Sequence, residues 1–112
     1  MTSTPPLAVL ISSGLDTLAQ DMPIIDGTFK PYKLYDGPGF RIRQLAFDAG
    51  AILGEHSAPG PIIVQVAEGS VGFEVDGTTY ELSVGSVLQV AANVPHALTA
   101  RERSRVIVTV IG

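Results

Sequence analysis

The stretch Val71-Gly72-Phe73-Glu74-Val75-Asp76-Gly77-Thr78-Thr79-Tyr80-Glu81-Leu82 alternates apolar side chains with small or charged ones on either side of an Asp-Gly pair. Val71, Phe73 and Val75 fall on one face of a period-two pattern, opposite Gly72, Glu74 and Asp76, which reads as a half-buried strand. Asp76-Gly77 is a two-residue turn that tolerates positive φ, so the chain folds back as a hairpin with Tyr80 and Leu82 on its apolar face. Further on, Val84-Gly85 turns into Val87-Leu88-Gln89-Val90, and Val106 to Ile111 supplies a β-branched closing strand. Upstream, Ile62-Ile63-Val64-Gln65-Val66-Ala67 is nearly all apolar and is expected to be central and covered on both faces. Phe40 to Phe47 is another strand, closed by Asp48-Ala49-Gly50. Its apolar parity changes from Phe40/Ile42 to Leu45/Phe47, which suggests a bulge or a strand passing between sheets. No 3.6-residue apolar stripe is sustained anywhere, so the chain is all-β, a sandwich or barrel.

The first 32 residues differ. Thr2-Ser3-Thr4-Pro5-Pro6 reads as a loose terminus, and Leu15 to Ala19 as a short helical turn with Ser13 as N-cap. Pro23 ends that turn and Asp26-Gly27 marks the next bend. Residues 1–32 are therefore assigned to an N-terminal extension that packs across the barrel or a second subunit, and residues 33–112 to the barrel.

Composition narrows the function. With 46% hydrophobic and 16% charged residues in 112, the chain supports one buried core. Seven Lys and Arg against eleven acids give a net charge of −4, which argues against a nucleic-acid partner. The basic cluster Arg101-Glu102-Arg103-Ser104-Arg105 reads as a solvated hairpin rim. There is no cysteine, hence no disulfide or thiolate ligand. Leu7 to Ile11 is too short for a signal core, and no run approaches the ~20 apolar residues of a membrane span. A soluble, cytoplasmic protein without a membrane partner is the expectation.

The two histidines each sit in a glycine-spaced block, His56 between Gly50 and Gly69, and His96 eleven residues after Gly85. These positions resemble the two motifs of the cupin family, G-x5-H-x-H-x(3,4)-E-x6-G and G-x5-P-x-G-x2-H-x3-N. Gly50, His56 and Gly69 match the first. Gly85 and His96 match the second, with Ala91 in the proline position and Asn93 in place of the glycine. The resemblance spans residues 40 to 111 and implies a double-stranded β-helix, the small jelly-roll barrel.

In that family a divalent metal is held by both histidines of the first motif, its glutamate and the histidine of the second. Here Ala58 occupies the second histidine position and Ile62 the glutamate position. A pair, His56 and His96, is left without the carboxylate that offsets a cation's charge. Two imidazoles and waters hold a divalent transition metal (Zn, Ni, Cu or Fe) weakly, and the site can equally hold none. Gln65 is the remaining polar side chain in its strand. Alternation turns it away from Ile62, but a slip at Pro59-Gly60-Pro61 would bring it into the pocket. Glu55 should point away from His56 for the same reason.

Each residue also has a plainer reading. Two interior histidines can be hydrogen-bonded core residues, Ala58 and Ile62 core packing, and Phe40, Phe47, Phe73 and Tyr80 core aromatics. The glycines serve turns. The matched placement of His56 and His96 favours a pocket formed by His56, Ala58, Ile62, Gln65 and His96 that takes a small-molecule ligand, optionally with a metal on the two histidines. The alternative is a metal-dependent enzyme of oxygenase, isomerase or lyase type; fold alone does not choose between them. A third role, self-association, is suggested by the alternation of Leu7, Val9 and Ile11, an apolar segment able to add a strand to a neighbouring barrel, so a homodimer is expected.

Overall fold

The computed structural model describes residues 6–112; of the terminus read at Thr2–Pro6, all but Pro6 lie outside the described residues. Helix α1 (Leu15–Asp21) precedes nine strands, β1 (Phe29–Gly37), β2 (Phe40–Phe47), β3 (Ile52–His56), β4 (Ile62–Glu68), β5 (Ser70–Val75), β6 (Thr78–Ser83), β7 (Val87–Val90), β8 (His96–Ala100) and β9 (Ser104–Ile111). They form two antiparallel sheets, β1-β2-β9-β4-β7 and β3-β8-β5-β6, with the core between them. The β5–β6 hairpin turns at Asp76 and Gly77, both at positive φ (48° and 80°), the conformation that favours an Asp-Gly pair. Phe47, Val64, Val71, Phe73 and Val106 are fully buried between the sheets.

Several expectations change. Strand β1 begins at Phe29, before the boundary at residue 33, and accommodates Pro31 because it is an edge strand. Strand β2 runs in unbroken register with β9, so its change of parity is no bulge; the bulge lies across the hairpin, between Lys33 and Tyr35 of β1. Arg43, Leu45 and Phe47 face inward, while Phe40 and Ile42 face outward, where the Phe40 ring stacks on Tyr35 at 6.0 Å. Phe40 is thus only half-buried, and Tyr80, on edge strand β6, is 42% exposed. Strand β4 buries one face only: Ile62, Val64 and Val66 are buried, and Gln65 is exposed.

The extension docks on the outer face of the five-stranded sheet. Gly14, not Ser13, is the N-cap of α1; the Ser13 hydroxyl pairs instead with the Thr17 hydroxyl at 2.7 Å. At the other end of the helix, Arg105 donates from Nη1 to the carbonyls of Met22 (2.5 Å) and Leu18 (3.5 Å), and from Nε to Glu68 (2.9 Å). Arg105 is therefore buried, at 4% exposure, and leaves the solvated rim to Arg101 and Arg103. Next, Asp48 accepts from the Gly27 amide at 2.6 Å and from Arg103 at 3.1 Å, and the Tyr32 hydroxyl donates to Pro23 at 2.6 Å.

Candidate functional site

A cavity of about 260 Å³ opens between the two sheets. The four-stranded sheet contributes His56, Phe73, His96 and Leu98, and the five-stranded sheet Arg43, Leu45, Ile62 and Val108. Four of the five sequence-predicted residues, His56, Ala58, Ile62 and His96, line it together. Gln65 does not. Strand β4 keeps its register against β9 and β7 through Gln65, so no slip occurs and alternation leaves that side chain on the outer, exposed face.

His56 reaches the cavity by way of an irregularity in β3. Leu53 pairs with Leu98 and His56 with His96, so the two residues Gly54 and Glu55 oppose Ala97 alone. This bulge restores the inward direction for His56, which strict alternation from Leu53 would turn outward. Glu55 faces the other way, lining an outer hollow with Glu74 and Asp76. The loop before His96 depends on Asn93, at φ 65°; it supplies the left-handed conformation that the second motif assigns to glycine. At Gly69 (φ 78°) a Cβ would lie 2.3 Å from the Arg103 carbonyl oxygen.

The two rings meet edge to face with centroids 4.3 Å apart, and His96 also stacks on Phe73 at 5.4 Å. Each imidazole donates from Nδ1 to a backbone carbonyl two residues earlier, His56 to Gly54 and His96 to Val94, both at 3.0 Å. A carbonyl only accepts, so these bonds put the proton on Nδ1 and leave the Nε2 lone pair of each neutral ring free. His96 is 5% exposed, and burial lowers its pKa below the usual imidazole value; the Val94 carbonyl opposes that shift and the charge of His56 adds to it.

The donor set falls short of a three-ligand metal centre. Two free Nε2 atoms suit a transition metal, and their Nδ1 anchors are of the kind that orient metal-binding histidines. However, Ala58 and Ile62 offer no donor, and among the described residues no group of three His, Cys, Asp or Glu side chains is placed to hold an ion. The charged side chain at the cavity wall, Arg43, is itself a cation and repels one.

Arg43 is the residue that the sequence reading missed. Counting back in twos from Phe47 and Leu45 lands on it, but the apolar pair Phe40/Ile42 obscured that parity. Its Nη1 donates to Asp36 (2.5 Å) and to the Ile42 carbonyl (3.1 Å). The guanidinium beside Asp36 holds its carboxyl below the usual carboxylate range, with a smaller contribution from Lys33.

The same architecture recurs in solved structures. A conserved protein of unknown function from Streptococcus pyogenes superposes with a TM-score of 0.76 at 25% identity, covering 98% of this chain and 91% of that one. An RmlC-like cupin from Desulfovibrio desulfuricans gives 0.71 at 27% identity, covering 99% and 96%. A DMSP lyase from Ruegeria pomeroyi gives 0.68 at 23%, covering 75% of this chain and 47% of the lyase, a likeness of fold alone. No curated protein matches the chain. The cupin-domain profile matches residues 44–112, the segment that holds both histidine blocks and eight of the nine strands in whole or part, and the chain belongs to the cupin family.

Proposed function

We propose that this cupin binds a small molecule in its barrel interior, with His56 and His96 as polar handles. One observation carries the reading: an apolar cavity of about 260 Å³ has two imidazoles on its wall whose Nε2 acceptors are free. A cavity of about 150 Å³ holds benzene, so this one suits a ligand of about ten non-hydrogen atoms. Any divalent metal is an optional, weakly held addition at His56 and His96. The test is an NMR titration of the labelled protein with neutral and charged fragments of that size. Shifts confined to His96, Leu98 and Val108 are expected, and they should weaken in His96→Phe, which removes the Nε2 acceptor. A full fragment set that perturbs none of these resonances overturns the reading.

The second reading is a metal-dependent enzyme, and the paired Nε2 lone pairs favour it. Metal content by mass spectrometry, with the His56→Ala/His96→Ala double variant as control, separates the two. Near-stoichiometric metal that vanishes in the variant supports the enzyme; none after loading with Zn²⁺, Ni²⁺ or Cu²⁺ leaves the binding role alone.

A homodimer accompanies either reading. Its support is the arm before α1, where Leu7 is 103%, Leu10 80% and Val9 44% exposed. Such apolar surface is costly in a monomer. Light scattering of the full chain and of a variant lacking residues 1–11 tests this: dimer and monomer respectively are expected, and a monomeric full chain overturns it.

A further inference from the structure

The inner face of the β1–β2 hairpin collects charge at the cavity mouth. Lys33 pairs with Arg43 in the strand register, and after the one-residue bulge Asp36 pairs with Arg41. The bulge thus brings Lys33 and Asp36, three residues apart, onto one face. Asp36 sits 2.5 Å from Arg43 Nη1 and 3.3 Å from Lys33 Nζ, while Arg41 has no carboxylate within ion-pairing distance among the described residues. Two cations share one anion here, and a third has none among the described residues. Elsewhere each arginine has its own carboxylate, Arg101 with Glu81, Arg103 with Asp26 and Asp48, and Arg105 with Glu68. In a chain of net charge −4, this rim is locally short of negative charge.

Arg43 is the member of this cluster that lines the cavity. Its partners in the protein engage only Nη1; Nε and Nη2 have none among the described residues. With a side chain 31% exposed at an apolar wall, Arg43 has two nitrogens available to an anion that completes its hydrogen bonds. Its planar fork matches a carboxylate through two parallel N–H···O bonds. The histidines lie on the opposite sheet and present acceptors, which do not attract a carboxylate. A phosphate dianion would need more donors than one half-engaged guanidinium offers.

We infer that Arg43 is the carboxylate anchor of the cavity, whose ligand is a small monocarboxylic acid with an apolar body. This rests on the cavity being a ligand site and adds the chemical class that it selects. Asp36 holds the guanidinium at the mouth and tempers its charge. Arg43 is thereby the residue that determines specificity.

The experiment compares hexanoate with hexanamide, isosteres that differ in charge, by calorimetry and NMR on the full chain. Wild type is expected to bind the acid at least about tenfold more tightly than the amide, the scale of a charge-assisted bidentate contact. Arg43→Gln should abolish that preference by weakening the acid far more than the amide, and Arg43→Lys should keep part of it. Asp36→Asn, which removes the negative charge that tempers Arg43, should tighten hexanoate alone. Equal binding of acid and amide by wild type overturns the anchor and leaves the cavity as a ligand site. A preference that survives in folded Arg43→Gln does the same. Should Arg43→Gln not fold, unchanged hexanoate affinity in Asp36→Asn overturns the proposal. If neither probe nor any neutral fragment binds at about 10 mM, the anchor and the ligand-site reading fall together.

Discussion

His56 and His96 are register partners across β3 and β8, with ring centroids 4.3 Å apart, yet each directs its Nδ1–H to a carbonyl of its own strand or loop. The pair is therefore oriented by backbone and not by mutual hydrogen bonding, and its two members differ in burial. His56 is exposed, whereas His96 is buried against Phe73. His96→Ala should cost about 2–3 kcal/mol, as removal of a packed ring leaves a void. His56→Ala should stay within about 0.5 kcal/mol, as at other exposed positions. Urea denaturation of the two variants checks the asymmetry; equal losses would refute it.

The histidine pair was legible because glycine spacing marks turns at fixed offsets and period-two alternation marks strands. Arg43 was not, because two apolar residues on the wrong face, Phe40 and Ile42, imitate an inward pair. Their cover is Tyr35, brought alongside by a bulge in the partner strand that leaves no mark in β2 itself. Alternation alone puts Gln65 outside, and the continuous β4–β9 ladder forbids the slip that would bring it in. The local pattern places Arg105 on a rim with its neighbours, but its burial depends on α1 docking from far away in sequence. Local pattern reports strand faces, and tertiary cover decides what each outer face becomes.

Arg105 fastens that cover. Its guanidinium donates to two carbonyls at the end of α1, that of Met22 and that of Leu18, which also accepts from the Met22 amide, and carries the charge favoured at a helix C-terminus. Arg105→Met should cost about 2 kcal/mol, the scale of hydrogen bonds to a charged group. It should also raise hydrogen exchange of the α1 amides above that of the barrel strands. Arg105→Lys should restore little, since an ammonium cannot span Glu68 and both carbonyls. Uniform exchange across α1 and barrel in Arg105→Met would show that the helix is held by other contacts.

Asp48 gives the fold an acid-sensitive latch. The Gly27 amide, then the Ala49 amide, lower its pKa from 3.8 against an opposing effect of burial, with Arg103 adding a weaker lowering. With the folded pKa below the unfolded one, the unfolded chain takes up the proton first as pH falls. The contribution is thus complete above the unfolded value and is lost as pH drops through the folded one. Asp48→Asn should flatten the stability curve below about pH 4 and leave its shape above pH 5 unchanged. Urea midpoints between pH 7 and pH 2.5, taken as about five steps, measure this; parallel acid limbs for both proteins would exclude Asp48 as the latch.

Gln44 presents the opposite case, a polar group whose burial is not compensated within the protein. It is fully buried on the outer face of β2, between Tyr32 and Ile107 in the ladder, and neither Oε1 nor Nε2 has a hydrogen-bond partner among the described residues. A buried amide without a partner costs about 1–3 kcal/mol. Gln44→Met keeps the side-chain volume and removes that cost, so it should raise stability by up to about 1 kcal/mol once imperfect packing is allowed for. Because the residue faces away from the cavity, ligand affinity should not change. Thermal denaturation and hexanoate titration of the same variant test both halves. A fall in stability would mean that the amide is satisfied at this face after all, and a change in affinity would mean that the two faces of the sheet are coupled.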